Sequence, residues 1–552
     1  MLSQLKRVRL PALPAVTWLA WLLPVFAWAP LTYPGYFEFR SGFAPIFDLN
    51  DLARRPFDLS WSPSAGQAYD LLRGERALPY LAALFPRALG LSAVVSIKVL
   101  LGLAIMAGAL GIFGWTRRRF GPWPALLAAL VYAFWPFALS TVYERGAVAE
   151  IVLLGLLPLA LWAADAACDS RRPGAVVALG LSLAAALWTQ TGLALWFALI
   201  LLVYLLLQPN GRRRALWGWL AGLLGGLAGL LPLIVQRGLG GGAWPDFASQ
   251  FVYPHELLLA SPLVRGTGDR PGYQLGLIAC GLALAGLILA RQAARRPADA
   301  DEAGGAGGGN RLRIVWFASL LVLLLAFLST TLAALLWRLL PFLARSLSYP
   351  WQLLLLTGPW LAWLAGLAGC LLLDLLPVHS RAAGTVPLFA GLLALALLGS
   401  YPQLNPPTTP VLVPDAPLAV FGDHELALLA VTTQGLPQPA PVVAANGSLS
   451  ATNVVSVTVQ WQALQPITRD YTVFFQAIGP DGAVWGQQDT MPLGGERPTS
   501  QWPPGQVVSD QYRVALKAGA PVGKYRALLG FYLYQTGERL RTATDDKVVL
   551  DH

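Results

Sequence analysis

Three groups of polar residues in this chain have the types and spacing to do chemistry, and each borders a long apolar run. The first reads Tyr33-Pro34-Gly35-Tyr36-Phe37-Glu38-Phe39-Arg40, then Phe47-Asp48-Leu49-Asn50-Asp51-Leu52-Ala53-Arg54-Arg55. Asp48 and Asp51 are three apart, so on a helix they share a face. Paired carboxylates can deprotonate a hydroxyl or hold a divalent ion, and a nearby arginine can grip a phosphate through two parallel hydrogen bonds. The plainer reading is a surface helix in which Asp51 pairs with Arg55, four residues on. The second group, Tyr143-Glu144-Arg145-Gly146-Ala147-Val148-Ala149-Glu150, is wedged between the apolar runs 124–140 and 151–164. Charges at a bilayer edge are costly, so they pair with one another or line a polar cavity. Arg145 either contacts a substrate or neutralises Glu144 or Glu150 and steadies a hairpin. The third group is Arg345 with Ser348-Tyr349-Pro350-Trp351-Gln352. Arg345, Tyr349 and Gln352 could bind substrate, although Tyr and Trp at a span edge also serve as interfacial anchors.

The elements that position these groups follow from composition. Of 552 residues, 56% are hydrophobic and 12% charged, with mean hydropathy +0.55. Soluble domains carry about 25% charged residues, so the chain is an integral membrane protein. The net charge of +10 is uneven. Residues 401–552 hold 9 Lys and Arg against 12 Asp and Glu, so the basic excess lies before them. The arginines sit in short loops between apolar runs and form no continuous face, which argues against a nucleic-acid partner. Cys168, Cys280 and Cys370 lie in or beside apolar runs without a CxxC, and His255, His379, His424 and His552 are scattered. No dedicated metal site and no cofactor are expected, apart from a divalent cation at paired carboxylates.

A membrane span needs about 20 apolar residues. Eleven segments qualify or nearly qualify: 13–30, 91–115, 123–140, 147–167, 175–190, 192–207, 215–235, 273–290, 314–330, 351–373 and 385–400. The fifth and sixth are short and separated only by Thr191, so they form either two spans or one tilted helix. The first follows Lys6, Arg7 and Arg9 in the manner of a signal peptide, but Pro24 interrupts it and no clean cleavage site follows, so an uncleaved span is expected. With eleven spans and a cytoplasmic N-terminus (1–12), the clusters at Arg117-Arg118-Arg119, Arg171-Arg172, Arg212-Arg213-Arg214, 291–313 and Arg381 all fall inside, as basic loops do. The three polar groups then share the outer side of the membrane, with 31–90 as a long first outer loop. The glycine-rich stretch 304–309 reads as a flexible linker.

The texture changes after the transmembrane domain, 13–405, and a linker, 406–440. In 441–552, Val455, Val457, Val459 and Trp461 alternate with Ser456, Thr458 and Gln460, a period of two that marks a strand with one buried face. Similar alternation recurs around Tyr471–Ala477, Tyr512–Leu516 and Tyr525–Leu533. Turn residues between these runs predict an all-β antiparallel sandwich. Trp485, Trp502, Tyr532 and Tyr534 either stack on sugar rings or belong to the sandwich core and its edges.

The Leu78-Pro79-Tyr80 approach to the second span, the pattern Tyr143, Arg145, Gly146, Glu150 before the fourth, and Tyr349-Pro350-Trp351 entering a later one resemble a bacterial membrane-protein family. It is labelled 6-pyruvoyl-tetrahydropterin synthase-related and is similar to polytopic glycosyltransferases of the GT-C superfamily. The resemblance covers about residues 10–400. Tyr471-Thr472-Val473-Phe474, Pro492-Leu493-Gly494-Gly495, Pro504-Gly505 and Tyr512 are similar to β-sandwich modules appended to such proteins. The resemblance implies a membrane all-α bundle followed by the sandwich, a catalytic carboxylate in the first outer loop and a polyprenyl-phosphate sugar donor. It makes Asp48 or Asp51 the candidate base, with Glu38 as the alternative, and Arg145 or Arg345 the candidate phosphate contact. Glu144, Glu150, Tyr349 and Gln352 complete the candidate substrate-binding set. Relatives of this type often pair the acid with a second acid or a histidine, and loop 31–90 has no histidine.

Two functions follow from this reading. One is a glycosyltransferase acting on a glycan or protein acceptor outside the bilayer. The other is a non-catalytic membrane protein displaying a glycan- or protein-binding sandwich. A transporter would need a charged path through the bundle, and Lys98, Asp165 and Asp374 are the main charges within the spans.

Overall fold

In the computed structural model the long apolar runs are helices and the alternating runs are strands. The structure describes residues 13–33, 35–37, 44–54, 77–169, 173–237, 250–258, 272–295, 307–344, 346–377, 379–404, 408–409, 417–423, 425–434, 454–465, 467–502, 507–517, 519–521, 525–542 and 545–550. The chain forms two compact units, one of residues 1–39 and 71–408 and the other of 40–70 and 409–552.

The first unit contains the helices α1 (Leu13–Leu22) and α2 (Val25–Trp28), and a helix of the second unit follows them in the chain, α3 (Ala44–Arg54). The first unit continues with α4 (Ala77–Ala88), α5 (Ala93–Phe120), α6 (Pro122–Ala133), α7 (Pro136–Ser140), α8 (Val148–Asp169), α9 (Pro173–Thr189), α10 (Thr191–Leu206) and α11 (Arg212–Arg237). It ends with α12 (Leu277–Arg295), α13 (Gly307–Ser329), α14 (Ala334–Leu339), α15 (Pro341–Ala344), α16 (Gly358–Leu375) and α17 (Arg381–Leu398). Among the described residues, eight helical segments are long and apolar enough to cross a membrane, and α9 and α10 are shorter apolar helices of 17 and 16 residues. All eleven expected segments carry helix, and the eight crossing segments counted among the described residues fall short of the eleven spans expected.

Burial sorts these helices. The segment Pro122–Arg145 is wholly buried within the protein and Pro350–Leu375 nearly so, whereas α12 and α17 are 17% buried. The first two are central, and the last two turn an apolar surface outward, as lipid-facing helices do. Glycines let backbones meet at the centre, as small residues do between membrane helices. A Cβ added at Gly111 of α5 would lie 2.8 Å from Leu159 N of α8, and one at Gly155 would lie 2.8 Å from Ala104 O. Between α9 and α10 the backbone at Gln190 is extended (φ −157°, ψ 92°), so the fifth and sixth expected segments are two helices.

The two-residue strands β1 (Tyr36–Phe37) and β2 (Thr408–Thr409) precede the strands of the second unit. These are β3 (Ala419–Phe421), β4 (Leu426–Gln434), β5 (Val454–Ala463), β6 (Thr472–Ile478), β7 (Val484–Thr490), β8 (Val507–Ala515), β9 (Arg526–Tyr532) and β10 (Val548–Leu550). They form two antiparallel four-stranded sheets, in the orders β3-β4-β5-β8 and β10-β9-β6-β7. Val457, Val459 and Trp461 from one sheet and Val473, Phe475 and Phe531 from the other share one core, with the Trp461 and Phe531 rings 4.5 Å apart. This is the expected sandwich, but β3 and β4 fall in the stretch 406–440 read from sequence as a linker. Of the four aromatics considered for sugar stacking, Trp502 is buried in the core and Trp485 packs beside it. The Tyr532 hydroxyl donates to Asp489 Oδ2 at 3.1 Å, and Tyr534 is 72% exposed.

One inward position of β8 is an acid. Asp510 Oδ2 accepts from the Tyr512 hydroxyl at 2.5 Å and from Leu493 N at 2.9 Å. The second bond holds Leu493 at φ 55°, a left-handed conformation in a residue other than glycine. Asp510→Ala strands both donors, and a hydrogen bond to a charged group contributes about 1.5–3 kcal/mol. The expected result is a loss of about 3 kcal/mol, read as faster amide exchange at 491–495 and along β8 in the intact protein.

Candidate functional site

The second and third polar groups come together within the membrane unit. After α7 the backbone widens into a single π turn, Thr141–Arg145, and leaves it through Gly146 in the left-handed region (φ 60°). Such π turns concentrate at functional positions. The turn buries Arg145, which is 6% exposed. Arg145 Nη1 donates to Glu150 Oε2 at 2.6 Å, and Nη2 donates to the Thr141 hydroxyl. The guanidinium carbon lies 4.3 Å from the Trp351 ring centre and 5.1 Å from that of Phe137. Flat guanidinium faces stack well on aromatic rings.

Glu150 sits in the first turn of α8, where the helix dipole favours an anion. Its second oxygen, Oε1, accepts from Gln352 Nε2 at 2.9 Å. Gln352 is itself fixed, because its Oε1 accepts from Ser348 N at 3.0 Å and Tyr349 N at 3.1 Å. The Tyr349 ring stacks on Trp351 at 5.1 Å. Glu144 faces a different set of partners: its Oε2 accepts from the Ser140 hydroxyl and from Gly272 N, both at 2.8 Å. Tyr143 ties the same turn to the first helices by donating to Ala27 O at 2.7 Å.

Arg145, Glu150, Tyr349 and Gln352 therefore form one buried cluster, with Glu144 at its edge. Asp48 and Asp51 lie one helical turn apart on α3, in the other unit, where the structure describes their backbone alone. Glu38 and Arg345 fall outside the described residues. Chemically, the buried cluster is saturated at its charged ends. Both Glu150 oxygens and both terminal Arg145 nitrogens are engaged, so neither residue is a free base or a free phosphate clamp. Arg145 Nε and Trp351 Nε1 are buried donors without a hydrogen-bond partner among the described residues. No group of three or more His, Cys, Asp and Glu side chains gathers there to hold a metal, among the described residues.

Two further polar anchors rest on charges within the spans, whose partners had no local signal in the sequence. Lys98 of α5, 9% exposed, donates to the carbonyls of Tyr33 at 2.7 Å and Gly35 at 2.6 Å, securing the start of loop 31–90. Lys98→Met leaves two carbonyls short of a donor, at about 1–3 kcal/mol for each such group. Lower stability in detergent unfolding, with faster exchange at 35–37, is the expected outcome. At the other end of α5, Arg119 donates to both oxygens of Asp165 at 2.9 and 2.8 Å, and to the Tyr204 hydroxyl and Gln208 Oε1, each at 3.2 Å. Tyr204 donates in turn to Asp165 at 2.5 Å. This network pins α5, α8 and α10 together.

No curated protein matches the sequence significantly. Among solved structures, the chain is similar to arabinofuranosyltransferase AftD from Mycobacteria, with 18% identity and TM-score 0.46, over 71% of this chain and 27% of that one. The match thus spans about a quarter of that protein. It is also similar to ArnT from Cupriavidus metallidurans, with 15% identity and TM-score 0.34, over 65% of this chain and 77% of that one. The Archaeoglobus fulgidus oligosaccharyltransferase matches with 16% identity and TM-score 0.35, over 70% of this chain and 52% of that one. A family model described as the 6-pyruvoyl-tetrahydropterin synthase related domain of membrane proteins matches residues 76–365. That stretch is more than half of the chain and holds the π turn, Glu150 and Gln352, and the protein belongs to this family of membrane proteins.

Proposed function

We propose that this protein transfers a sugar from a polyprenyl-phosphate carrier to a glycan or protein acceptor on the outer side of the bacterial cytoplasmic membrane. The observation that carries the reading is α3, which sets Asp48 and Asp51 one turn apart in the loop after the first membrane segment. One carboxylate takes the proton of the acceptor hydroxyl as its oxygen attacks the anomeric carbon. The bond from that carbon to the carrier phosphate breaks, and the phosphate leaves with the electron pair. An arginine stabilises the charge that develops on it. Arg345 is the candidate for this role, because Arg145 could take it only by releasing Glu150. In this reading the arginine-rich loops are cytoplasmic and the sandwich receives the acceptor.

The saturated Arg145–Glu150 cluster favours a second reading, in which the bundle is a rigid mount that displays the sandwich without catalysis. The deciding experiment incubates the purified protein with a panel of radiolabelled polyprenyl-phosphate sugars and mixed acceptors. Transfer by wild type, lost in Asp48→Asn or Asp51→Asn, supports the enzyme. No turnover of any donor by the wild type removes it in favour of the mount.

A further inference from the structure

The arginine-rich end of the bundle is built as one piece. Arg119 joins α5 to α8 and α10 as described, and Arg214 Nη2 of α11 reaches Cys168 O of α8 at 3.4 Å. Gly211 (φ 69°) lies so close that an added Cβ would stand 2.0 Å from that same carbonyl. Four helix ends therefore meet, carrying Arg117, Arg118, Arg119, Arg212, Arg213 and Arg214 against Asp165 and Asp169 among the described residues. Arg119 uses up Asp165. Arg118 reaches Asp169 only at 3.7 Å, with both side chains well exposed, and a pair of that kind contributes little. Arg212 and Arg213 are exposed and make no hydrogen bond or ion pair among the described residues.

We propose that Arg118, Arg212 and Arg213 bind the phosphate headgroup of an anionic phospholipid. Three observations favour that occupant. The charge is unbalanced and positive at the ends of membrane helices, where headgroups lie. The 28 residues of α5 extend about 42 Å, past a hydrocarbon core of about 30 Å, so its final turn reaches headgroup depth. The basic residues are all arginines, whose planar fork grips phosphate oxygens in pairs; the Arg119–Asp165 clasp ties α5 to α8, and the Arg214–Cys168 bond with the close approach of Gly211 ties α11 to α8. The inference depends on the protein spanning a membrane and stands apart from the glycosyltransferase reading.

The test places the full-length protein in nanodiscs of phosphatidylcholine with added phosphatidylglycerol and counts retained phosphatidylglycerol by native mass spectrometry. An arginine that grips the phosphate through charge-assisted hydrogen bonds contributes on the order of a factor of ten. The double variant Arg212→Gln/Arg213→Gln is therefore expected to retain phosphatidylglycerol roughly 100-fold more weakly. Arg291→Gln/Arg295→Gln, at the end of α12, is expected to bind as wild type does, and Arg118→Gln alone to lose a smaller share. All variants are compared at matched melting temperature. Equal retention by the Arg212/Arg213 variant and wild type overturns the proposal. So does an equal loss in the α12 variant, which would reduce the effect to general surface charge. Displacement of the lipid by inorganic phosphate at matched ionic strength also overturns it, since the site would then take free phosphate.

Discussion

Replacing Glu150 with alanine is expected to cost about 3–5 kcal/mol of stability, the usual penalty for stranding one charge of a buried pair. The charge left behind is Arg145, which is 6% exposed and walled by Phe137 and Trp351. Thr141 would keep one bond to it, but its paired carboxylate would be gone. Gln352 would lose its acceptor as well, and with it part of the grip on the segment entering Pro350–Leu375. Glu150→Gln should recover the acceptor for Gln352 without the charge, and so fall between alanine and wild type. The double variant Arg145→Leu/Glu150→Leu should cost far less than the two single changes together, because it removes both charges. Unfolding of the purified protein in mixed micelles measures all of these. A cost below about 1 kcal/mol for Glu150→Ala would place the pair with exposed ones and overturn its role as a brace.

The second large effect concerns catalysis. If one of the α3 carboxylates is the base, its asparagine variant is expected to lose ~10²–10⁴-fold in turnover, while the other variant loses much less. The loss should fall on kcat with little change in KM, because the base acts on the reacting proton and not on carrier binding. Each variant is compared with wild type at matched melting temperature, so that a loss of turnover is read apart from a loss of stability. If a donor is turned over and both variants keep wild-type rates, Asp48 and Asp51 are not the base, and Glu38 becomes the residue to test.

Much of the architecture was legible in the sequence. Apolar runs of about 20 residues can satisfy their backbone only as helices in a membrane, and the arginine clusters kept α9 and α10 apart where hydropathy alone could not. Strands β5, β6, β8 and β9 were visible through alternation. Strand β4 was not, because Leu426, Ala427, Leu428 and Leu429 are all fully buried and no polar face marks the period. Strand β7 was missed for the opposite reason: Val484–Thr490 lies at a sheet edge and is largely polar. The pairing of Arg145 with Glu150 was one of two readings that their spacing allowed. The grip of Gln352 on Glu150, of Lys98 on Tyr33 and Gly35, and of Arg119 on Asp165 joins residues 46 to 202 positions apart. Local pattern holds no trace of such partners, since they are chosen by how helices pack.

The Arg145 cluster also bears on how the protein is made. Gln352 follows Glu150 by 202 residues, and Trp351 follows Arg145 by slightly more. A chain emerging from its N-terminus commits Arg145 and Glu150 to the bilayer edge long before the glutamine and the indole exist. Until the segment from Tyr349 arrives, the ion pair has Thr141 and Phe137 beside it, and one Glu150 oxygen lacks its final donor. Insertion of that late segment closes the cluster, so assembly of the bundle is completed at a charge pair laid down near its start.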